Sequence, residues 1–123
     1  MIKGIGTDII DIVRIKNSIE KNKRFVEKIF TEKEIGYCEA RMRREVHYAG
    51  RFAAKEAFFK AIGTGYRGGM GWREISIEND ELGKPGIELS GRTRDFFKKK
   101  KFKNIHLSIS HTREYAVSFV VID

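Results

Sequence analysis

The sequence predicts an α+β fold in which a largely antiparallel sheet packs with one long buried helix. Helical periodicities cluster in the first half of the chain, and strand patterns pair mostly in the second half. The stretch from Gly50 to Gly65 has a helical pattern and is apolar on almost every side, which is typical of a buried helix. The chain has 123 residues, 41% of them hydrophobic, and no repeat or proline-rich linker, so one domain over residues 1–123 is expected.

The isoleucine pattern predicts the first strand and the first helix. Residues 2–10 are rich in isoleucine, as in a buried strand, and Gly4 and Gly6 would let another backbone or a ligand approach closely. From residue 11 onward the isoleucines recur at helical spacing, which predicts an amphipathic helix with a basic outer face.

Two further helices are expected before the middle of the chain. Thr31-Glu-Lys-Glu34 has the sequence of a capping box and predicts the start of a short helix. A longer helix is expected over about residues 43–62, because Gly63 and the glycines behind it end the pattern.

The second half of the chain predicts two hairpins separated by a helix. Residues 72–77 and 86–89 flank the turn-rich segment 78–85 and predict the first hairpin. A helix over residues 92–100 follows, and the lysine run at 98–101 is interpreted as its solvated end, where cations suit the helix dipole. Residues 105–110 and Tyr115–Ile122, joined around residues 112–114, predict the second hairpin.

Composition excludes several classes of protein. The net charge is +8 at a sequence pI of about 9.7, which would steer nucleic acid, an acidic protein or a phosphorylated metabolite toward the chain. The longest apolar run, Tyr115–Ile122, is far shorter than the roughly 20 residues of a membrane span, so no membrane helix is expected. The N-terminal residues lack a signal-peptide core and Cys38 has no partner for an internal disulfide, which favours a reducing cytoplasm.

Three charges interrupt the apolar helix. Glu56 and Lys60 are four residues apart with the acid first, so one interpretation is a helix ion pair. The other is a ligand site, because taking an ion pair out of water often costs more than its attraction returns, and a metal or phosphate group would explain the charges. Lys55 receives no role from the sequence.

Asp8 lies in the isoleucine-rich first strand, where a carboxylate is costly unless it is hydrogen-bonded or bound to a cation. One interpretation is a cap for the helix that starts at Asp11. The other pairs Asp8 with Glu56, since two carboxylates from separate elements are what Mg²⁺ typically takes from a protein. Zinc is not expected, because Cys38 and the three histidines show no ligand spacing.

A glycine-rich segment, residues 63–71, follows the long helix directly. It places several glycines and Arg67 beside Lys60, so that backbone amides could approach phosphate oxygens. A mobile surface loop is the other interpretation. The segment is not a P-loop, because the Gly-Lys-Ser/Thr ending is missing.

In the strand around residues 106–111, alternation places positions 106, 108 and 110 on one face and Leu107 and Ile109 on the other. His111 comes where the strand turns and is interpreted as a hydrogen-bonding turn residue. Nucleophilic serine catalysis is not predicted, because no Gly-x-Ser-x-Gly sequence is present.

Five separated motifs, taken together, carry a resemblance. They are GTDIIDIVRI (residues 6–15), IFTEKE (29–34), RFAAKEA with KAIGTG (51–57 and 60–65), GKP (83–85) and LSISHT (107–112). In this order they resemble the holo-acyl-carrier-protein synthases, a family of small phosphopantetheinyl transferases, over nearly the whole chain.

The resemblance implies transfer of 4′-phosphopantetheine from coenzyme A to a serine hydroxyl of apo-acyl carrier protein, with release of adenosine 3′,5′-bisphosphate, in fatty acid biosynthesis. It implies a Mg²⁺ ion, with Mn²⁺ as an alternative, held on the pyrophosphate by Asp8 and Glu56. Lys60 would bind the same phosphates, and Glu56 or a metal-bound water would accept the serine proton.

The family's coenzyme A contacts match three short segments of this chain. These are Gly63-Thr64-Gly65, Gly83-Lys84-Pro85 and Ser110-His111. We expect them to surround the cofactor substrate.

The family docks acidic acyl carrier proteins through an arginine of the first helix, which matches Arg14. Lys21, Arg24 and Phe25 are expected neighbours in that contact, as charged and apolar anchors. Similar proteins form homotrimers with active sites at subunit junctions, so a homotrimer is expected by resemblance.

Two functions from other classes fit parts of the sequence. A small basic nucleic-acid-binding domain fits the pI and the lysine run, but it would expose its aromatic residues, whereas Phe52, Phe58 and Phe59 occupy helical core positions. A domain that binds coenzyme A or a nucleotide without chemistry would not require both Asp8 and Glu56. We therefore expect neither a nucleic-acid partner nor a membrane.

Overall fold

The structure is a computed structural model, and it describes residues 1–65 and 69–123. Along this part of the chain, one strand is followed by four helices, a strand hairpin, a further helix and a second hairpin. In chain order the elements are β1 (Gly4–Asp11), α1 (Ile12–Lys21), α2 (Lys23–Ile29), α3 (Glu32–Glu39), α4 (Arg44–Ala61), a 3₁₀ turn (Trp72–Glu74), β2 (Ile75–Asn79), β3 (Pro85–Leu89), α5 (Gly91–Lys99), β4 (Ile105–His111) and β5 (Tyr115–Ile122).

The described strands form two antiparallel sheets, which confirms the predicted fold class. The larger sheet has the order β1-β5-β4, and β2 and β3 form a separate hairpin. In the larger sheet Asp8 lies opposite Ser118, which lies opposite Ile109. Alternate residues of β5, including Ser118 and Val120, are fully buried, so Asp8 shares the inner face of this sheet.

The long helix α4 lies directly against β1 on that inner face. A methyl group added at Gly4 would overlap the carbonyl oxygen of Ala61, and one added at Gly6 would overlap that of Ala57. The two glycines therefore let the backbones of strand and helix touch, as the sequence predicted. This contact brings Asp8 beside the last turns of α4.

The hydrophobic core lies on two sides of α4. One cluster packs α4 against both sheets and α5, around Phe58, Phe59 and Val120. The other packs α4 against α1, α2 and α3, around Ile15 and Phe30. Because both clusters contact α4, this helix is apolar on most of its surface, which confirms the prediction of a long buried helix.

Most predicted elements are confirmed to within a residue or two. The capping box at Thr31 makes both of its hydrogen bonds with Glu34. The prediction of a strand from residue 72 is wrong at its start, since Trp72–Glu74 is a 3₁₀ turn. Glu74 bends the chain there by accepting a hydrogen bond from the Gly71 N–H at 2.9 Å.

Helix α2 was not predicted. Its N-terminal cap is Asn22, whose side chain accepts a hydrogen bond from the Arg24 N–H at 3.0 Å. The break between α1 and α2 is a single extended residue at that asparagine. Because α2 follows α1 after one residue, its helical pattern cannot be distinguished in the sequence from that of α1.

The outer face of the larger sheet is unusually apolar for an exposed surface. The side chains that stand on it include Ile5, Ile9, Tyr115 and Phe119, which are between 44% and 64% exposed. None of the helices in residues 1–65 and 69–123 combines the length and hydropathy that crossing a bilayer requires.

Candidate active site

The junction of β1 and α4 places Asp8 in a partly buried position. One carboxylate oxygen, Oδ1, accepts a hydrogen bond from Lys60 Nζ at 3.1 Å. The other, Oδ2, is buried and has no hydrogen-bond partner among residues 1–65 and 69–123. The alternative that Asp8 caps the first helix is wrong, because Asp11 caps it by accepting from the Val13 N–H at 3.0 Å. An orphaned carboxylate oxygen is costly and indicates a missing partner.

Lys60 bridges the strand and the helix at this junction. Its ammonium donates to Asp8 and to the Thr7 carbonyl oxygen at 3.0 Å. The ion pair with Glu56 that the spacing allowed is not formed, since Lys60 pairs with Asp8 across 52 residues of sequence. The Lys60 side chain is 52% exposed, so a phosphate group could reach its ammonium from solvent.

Glu56 points toward the same junction from one turn earlier in α4. Burial, and then the charge of Asp8, raise the pKa of Glu56 above its usual value, and the weaker influence of Lys60 opposes them. Glu56 forms no ion pair with any described residue. The two carboxylates therefore lie close enough to repel each other, and the nearby Lys60 ammonium pairs only with Asp8 among the described carboxylates.

A divalent cation fits this arrangement. It would give the orphaned Asp8 oxygen a partner and would relieve the repulsion between Asp8 and Glu56. Residues 1–65 and 69–123 contain no cluster of three or more potential metal-binding side chains. Two carboxylates with open positions suit Mg²⁺, which keeps several waters and takes few protein ligands.

The most deeply buried charge of α4 is Lys55, not Glu56 or Lys60. Its side chain is 0% exposed and pairs with Glu34, which is also 0% exposed. Burial lowers the pKa of Lys55, and the neighbouring Glu34 carboxylate opposes this. The cost of burial that the sequence assigned to the Glu56–Lys60 pair therefore falls elsewhere in the helix.

The glycines that follow α4 form the C-terminal cap of the helix. Gly63 and Gly65 have φ of +83° and +62°, and their N–H groups donate to the carbonyl oxygens of Lys60 and Phe59, both at 3.1 Å. These two amides are thus already bonded, which weakens the prediction that they bind phosphate. Thr64 donates its hydroxyl to the Gly65 carbonyl oxygen at 2.7 Å. Arg67 lies outside the described residues.

The turn of the β2–β3 hairpin holds the second predicted segment, Gly83-Lys84-Pro85. Asp80 organises it, because one carboxylate oxygen accepts from the N–H groups of Leu82 and Lys84, both at 2.9 Å. Lys84 and Pro85 line a cavity of about 460 Å³ that reaches residues 105–107 of β4. Asp8 and Glu56 do not line this cavity.

The third segment, Ser110-His111, ends β4. Ser110 lies opposite Val117, on the outer face of the sheet, as the alternation predicted. Asp8 is on the inner face. Ser110 and Asp8 of this chain therefore face opposite sides of the same sheet.

Three of the four predicted docking residues lie together. Arg14, Lys21 and Phe25 line a groove of about 410 Å³ formed by α1 and the start of α2. Arg24 is exposed on α2 and is not one of the groove residues. The groove therefore combines two cations with an aromatic wall.

Arg51 is the first residue of the RFAAKEA motif, and the sequence assigned it no role. It is 4% exposed, its guanidinium carbon lies 3.9 Å from the centre of the Tyr37 ring, and its Nη2 donates to the Asn79 side chain at 2.5 Å. Its buried Nε has no hydrogen-bond partner in the described part of the chain. The signal that could have marked it is a charge directly before the apolar stretch that begins at Phe52.

Comparisons with known proteins agree with this architecture. The family model described as "4′-phosphopantetheinyl transferase superfamily" matches residues 4–120. The holo-[acyl-carrier-protein] synthase of Clostridium tetani is 51% identical over 123 residues, which is all of this chain and 97% of that protein.

Solved structures are similar over the same length. The crystal structure of the holo-[acyl-carrier-protein] synthase from Neisseria meningitidis has a TM-score of 0.92 at 35% identity and covers 100% of this chain and 99% of that one. A holo-(acyl-carrier-protein) synthase from Bacillus anthracis in complex with CoA has a TM-score of 0.83 at 40% identity, covering 99% and 96%. The chain described here therefore belongs to the 4′-phosphopantetheinyl transferase superfamily and, within it, to the holo-[acyl-carrier-protein] synthases.

Proposed function

We propose that this protein transfers 4′-phosphopantetheine from coenzyme A to a serine hydroxyl of apo-acyl carrier protein, and that it serves fatty acid biosynthesis. The observation that carries the proposal is the β1–α4 junction, where the orphaned Asp8 oxygen, Glu56 and the accessible ammonium of Lys60 meet. The relatives named for this activity, one of them in complex with CoA, support the choice of substrates.

Asp8 and Glu56 would hold a Mg²⁺ ion, with Mn²⁺ as an alternative. When bound, the ion supplies positive charge that stabilises the negative charge developing on the phosphates. The chain itself contributes Lys60, whose exposed ammonium adds a second positive charge at the same place.

The transfer exchanges one phosphorus–oxygen bond for another. The serine oxygen bonds to the phosphorus that carries pantetheine, and the bond from that phosphorus to the bridging oxygen breaks. The electron pair of that bond leaves with adenosine 3′,5′-bisphosphate. The serine proton passes to Glu56 or to a water molecule beside it.

We infer that the carrier protein docks on the groove of α1 and α2. Its partner is expected to be acidic, because Arg14 and Lys21 line the groove and the chain carries a net charge of +8. Phe25 would supply an apolar anchor within the same contact.

We further infer a homotrimer with active sites at subunit junctions. The exposed isoleucines and aromatics on the outer face of the larger sheet form an apolar surface that a second copy of the chain would cover. A neighbouring subunit would also bring its own Ser110 toward a junction that Ser110 of the same subunit faces away from. Analytical ultracentrifugation should give a trimer mass, and Phe119→Glu should dissociate it. A monomeric wild-type protein would contradict this inference.

The buried thiol of Cys38 fits a reducing compartment, so we place the activity in the cytoplasm. That placement is tested separately from the chemistry, by fractionating cells that produce the protein.

The deciding experiment incubates the protein with apo-acyl carrier protein, coenzyme A and MgCl₂ and measures the carrier protein by mass spectrometry. We expect the phosphopantetheine adduct, and its loss when EDTA removes the metal. Asp8→Asn and Glu56→Gln should each lower kcat by about 10²-fold or more without changing the far-UV spectrum. Asp95→Asn, on the exposed side of α5, is the matched control and should keep full activity. No adduct with either Mg²⁺ or Mn²⁺ would remove the proposal.

A further inference from the structure

Lys55 is bonded more completely than any other described lysine, and no step of the proposed reaction uses it. Its three N–H groups face four acceptors: Glu34 Oε1 and the Ile75 carbonyl oxygen, both at 2.7 Å, and the carbonyl oxygens of Ile29 at 2.9 Å and Trp72 at 3.0 Å. Two of these acceptors therefore share one N–H. One ammonium on α4 therefore holds the end of α2, the start of α3, and the segment where the chain returns after the glycine-rich loop.

Side chains from α3 and α4 take the place of a neighbouring strand along the free edge of β2. The Ile75 carbonyl oxygen accepts from Lys55, and the Ile77 N–H donates to Glu34 Oε2 at 3.0 Å. At the far end of β2, Arg51 donates to the Asn79 side chain. The spacing matches, because Arg51 and Lys55 are one helical turn apart and residues 75, 77 and 79 alternate along the strand.

Within the described residues, no strand of the β2–β3 hairpin pairs with a strand of the larger sheet. The position of the hairpin relative to α4 therefore depends on side chains, and the Lys55–Glu34 pair supplies charged hydrogen bonds at the centre of the contact. A buried ion pair is a poor device for stability alone, since an apolar pair of the same volume is often as stable. Its advantage here is geometric, because a charged donor with fixed acceptors specifies one distance between the hairpin and α4 and one register of β2 along the helix.

The distance between α4 and the β2–β3 hairpin separates two parts of the proposed coenzyme A site. Glu56 is the next residue of α4 after Lys55, and Lys60 follows one turn later. Lys84 and Pro85 stand on the turn of the hairpin that Lys55 and its neighbours hold. We propose that Lys55 is a positioning residue for coenzyme A: with Glu34 and Arg51 it sets the β2–β3 hairpin against α4, so that Lys84 and Pro85 face the cofactor that Glu56 and Lys60 engage. The identity of the ligand rests on the proposed function.

The test uses the variant Lys55→Met, which keeps the length of the side chain and removes its donors. Trp72 is the only tryptophan of the chain, its carbonyl oxygen accepts from Lys55, and its ring stacks on Phe52 with centroids 5.3 Å apart. Its fluorescence therefore reports directly on this contact. We expect emission at longer wavelength and easier acrylamide quenching, a Kd for coenzyme A weakened about tenfold or more, and a KM for the carrier protein changed less than about twofold.

Two further variants separate positioning from general destabilisation. The double variant Glu34→Gln/Lys55→Met leaves no unpaired buried charge, so it should recover thermal stability while keeping the altered Trp72 emission and the weak coenzyme A binding. Val46→Ala opens a cavity in the other core cluster, on the same helix. It should lower the melting temperature but leave the Kd for coenzyme A unchanged.

A double variant with wild-type Trp72 emission and wild-type affinity for coenzyme A would overturn the proposal. Equal loss of affinity in Val46→Ala at equal loss of stability would also overturn it. If neither Lys55 variant folds, hydrogen exchange in the wild-type protein tests whether the side chains of α3 and α4 hold β2. The Ile77 N–H, which donates to Glu34, should be as protected as amides paired between strands. Rapid exchange of this amide would refute the contact. If the wild-type protein does not bind coenzyme A, the proposed function fails, while the Trp72 and Ile77 measurements still decide whether Lys55 sets the hairpin.

Discussion

Replacing Gly6 with alanine tests whether direct contact between β1 and α4 builds the site. The added methyl would overlap the Ala57 carbonyl oxygen and would lie 2.8 Å from the Ala61 nitrogen and 2.9 Å from the Ala57 carbonyl carbon. All of these are backbone atoms of a buried helix, so no side chain can turn aside to make room. The strand must move away from the helix, and Asp8, two residues further along β1, must move with it.

The size of the movement follows from these distances. Ordinary van der Waals contact begins at 3.4 Å, so the methyl must move by about 0.6 Å from the Ala61 nitrogen and further from the Ala57 oxygen. Overpacking of this kind costs about 1–3 kcal/mol of the free energy of unfolding. For a chain of this size that corresponds to a fall in melting temperature on the order of 5–10 °C. A displacement on the order of 1 Å between catalytic groups costs about 10²-fold in rate.

The assay measures the melting temperature and the rate of carrier-protein modification at one protein concentration, because oligomerisation makes stability depend on concentration. Gly36→Ala is the matched control, since a methyl at Gly36, within α3, meets no atom within 4 Å. Alanine has the higher helix propensity, so this variant should be more stable by about 0.5–1 kcal/mol and fully active.

The reasoning fails if Gly6→Ala retains the wild-type melting temperature and rate. It also fails in part if the variant is destabilised but keeps its full rate at a temperature where it is folded. In that case the contact would support the fold without setting the distance between Asp8 and Glu56.

Three other predictions concern the docking groove, the first turn of α5 and the buried thiol. Arg14→Ala should slow association with the carrier protein and flatten the salt dependence of kcat/KM. Lys16→Ala, which lies outside the groove, should change both quantities much less. Equal effects of the two variants would show that Arg14 is not part of the docking surface. Burial opposes ionisation of Glu74, but hydrogen bonds from the Gly71 N–H and from α5 outweigh it and lower the pKa of Glu74 from its usual value of 4.5. The ionised form therefore stabilises the fold above about pH 4.5, and this stability is lost as the pH falls. The unfolding free energies of wild type and Glu74→Gln should converge on acidification, and a difference that stays constant as the pH falls would contradict the assignment. Burial raises the pKa of Cys38 to about 12, so thiol reagents should modify it only on unfolding, and rapid modification of the native protein at about pH 8 would show that the thiol is accessible.

Local signals were sufficient for most of the fold. The capping box at Thr31, the apolar surface of α4 and the alternation in β4 each depend on residues within a few positions of one another, so their spacing predicts the element. Helix α2 and the 3₁₀ turn at Trp72 were missed because their determinants are a cap next to another helix and a side chain, Glu74, that reaches α5. The bond from α5 to Glu74 is long-range and leaves no periodic pattern in the sequence.

By itself the sequence determined the α+β class and marked Asp8, Glu56 and Lys60 as the residues to explain, because charges in apolar segments are costly wherever they finally lie. Only the tertiary structure decided which charges meet. Lys60 pairs with Asp8 and not with its helix neighbour, because two glycines let β1 touch α4. Lys55, which the sequence left without a role, is the buried charge, because three separate segments converge on it. Both outcomes depend on distances between parts of the chain that are far apart in sequence, and those distances exist only once the core has packed.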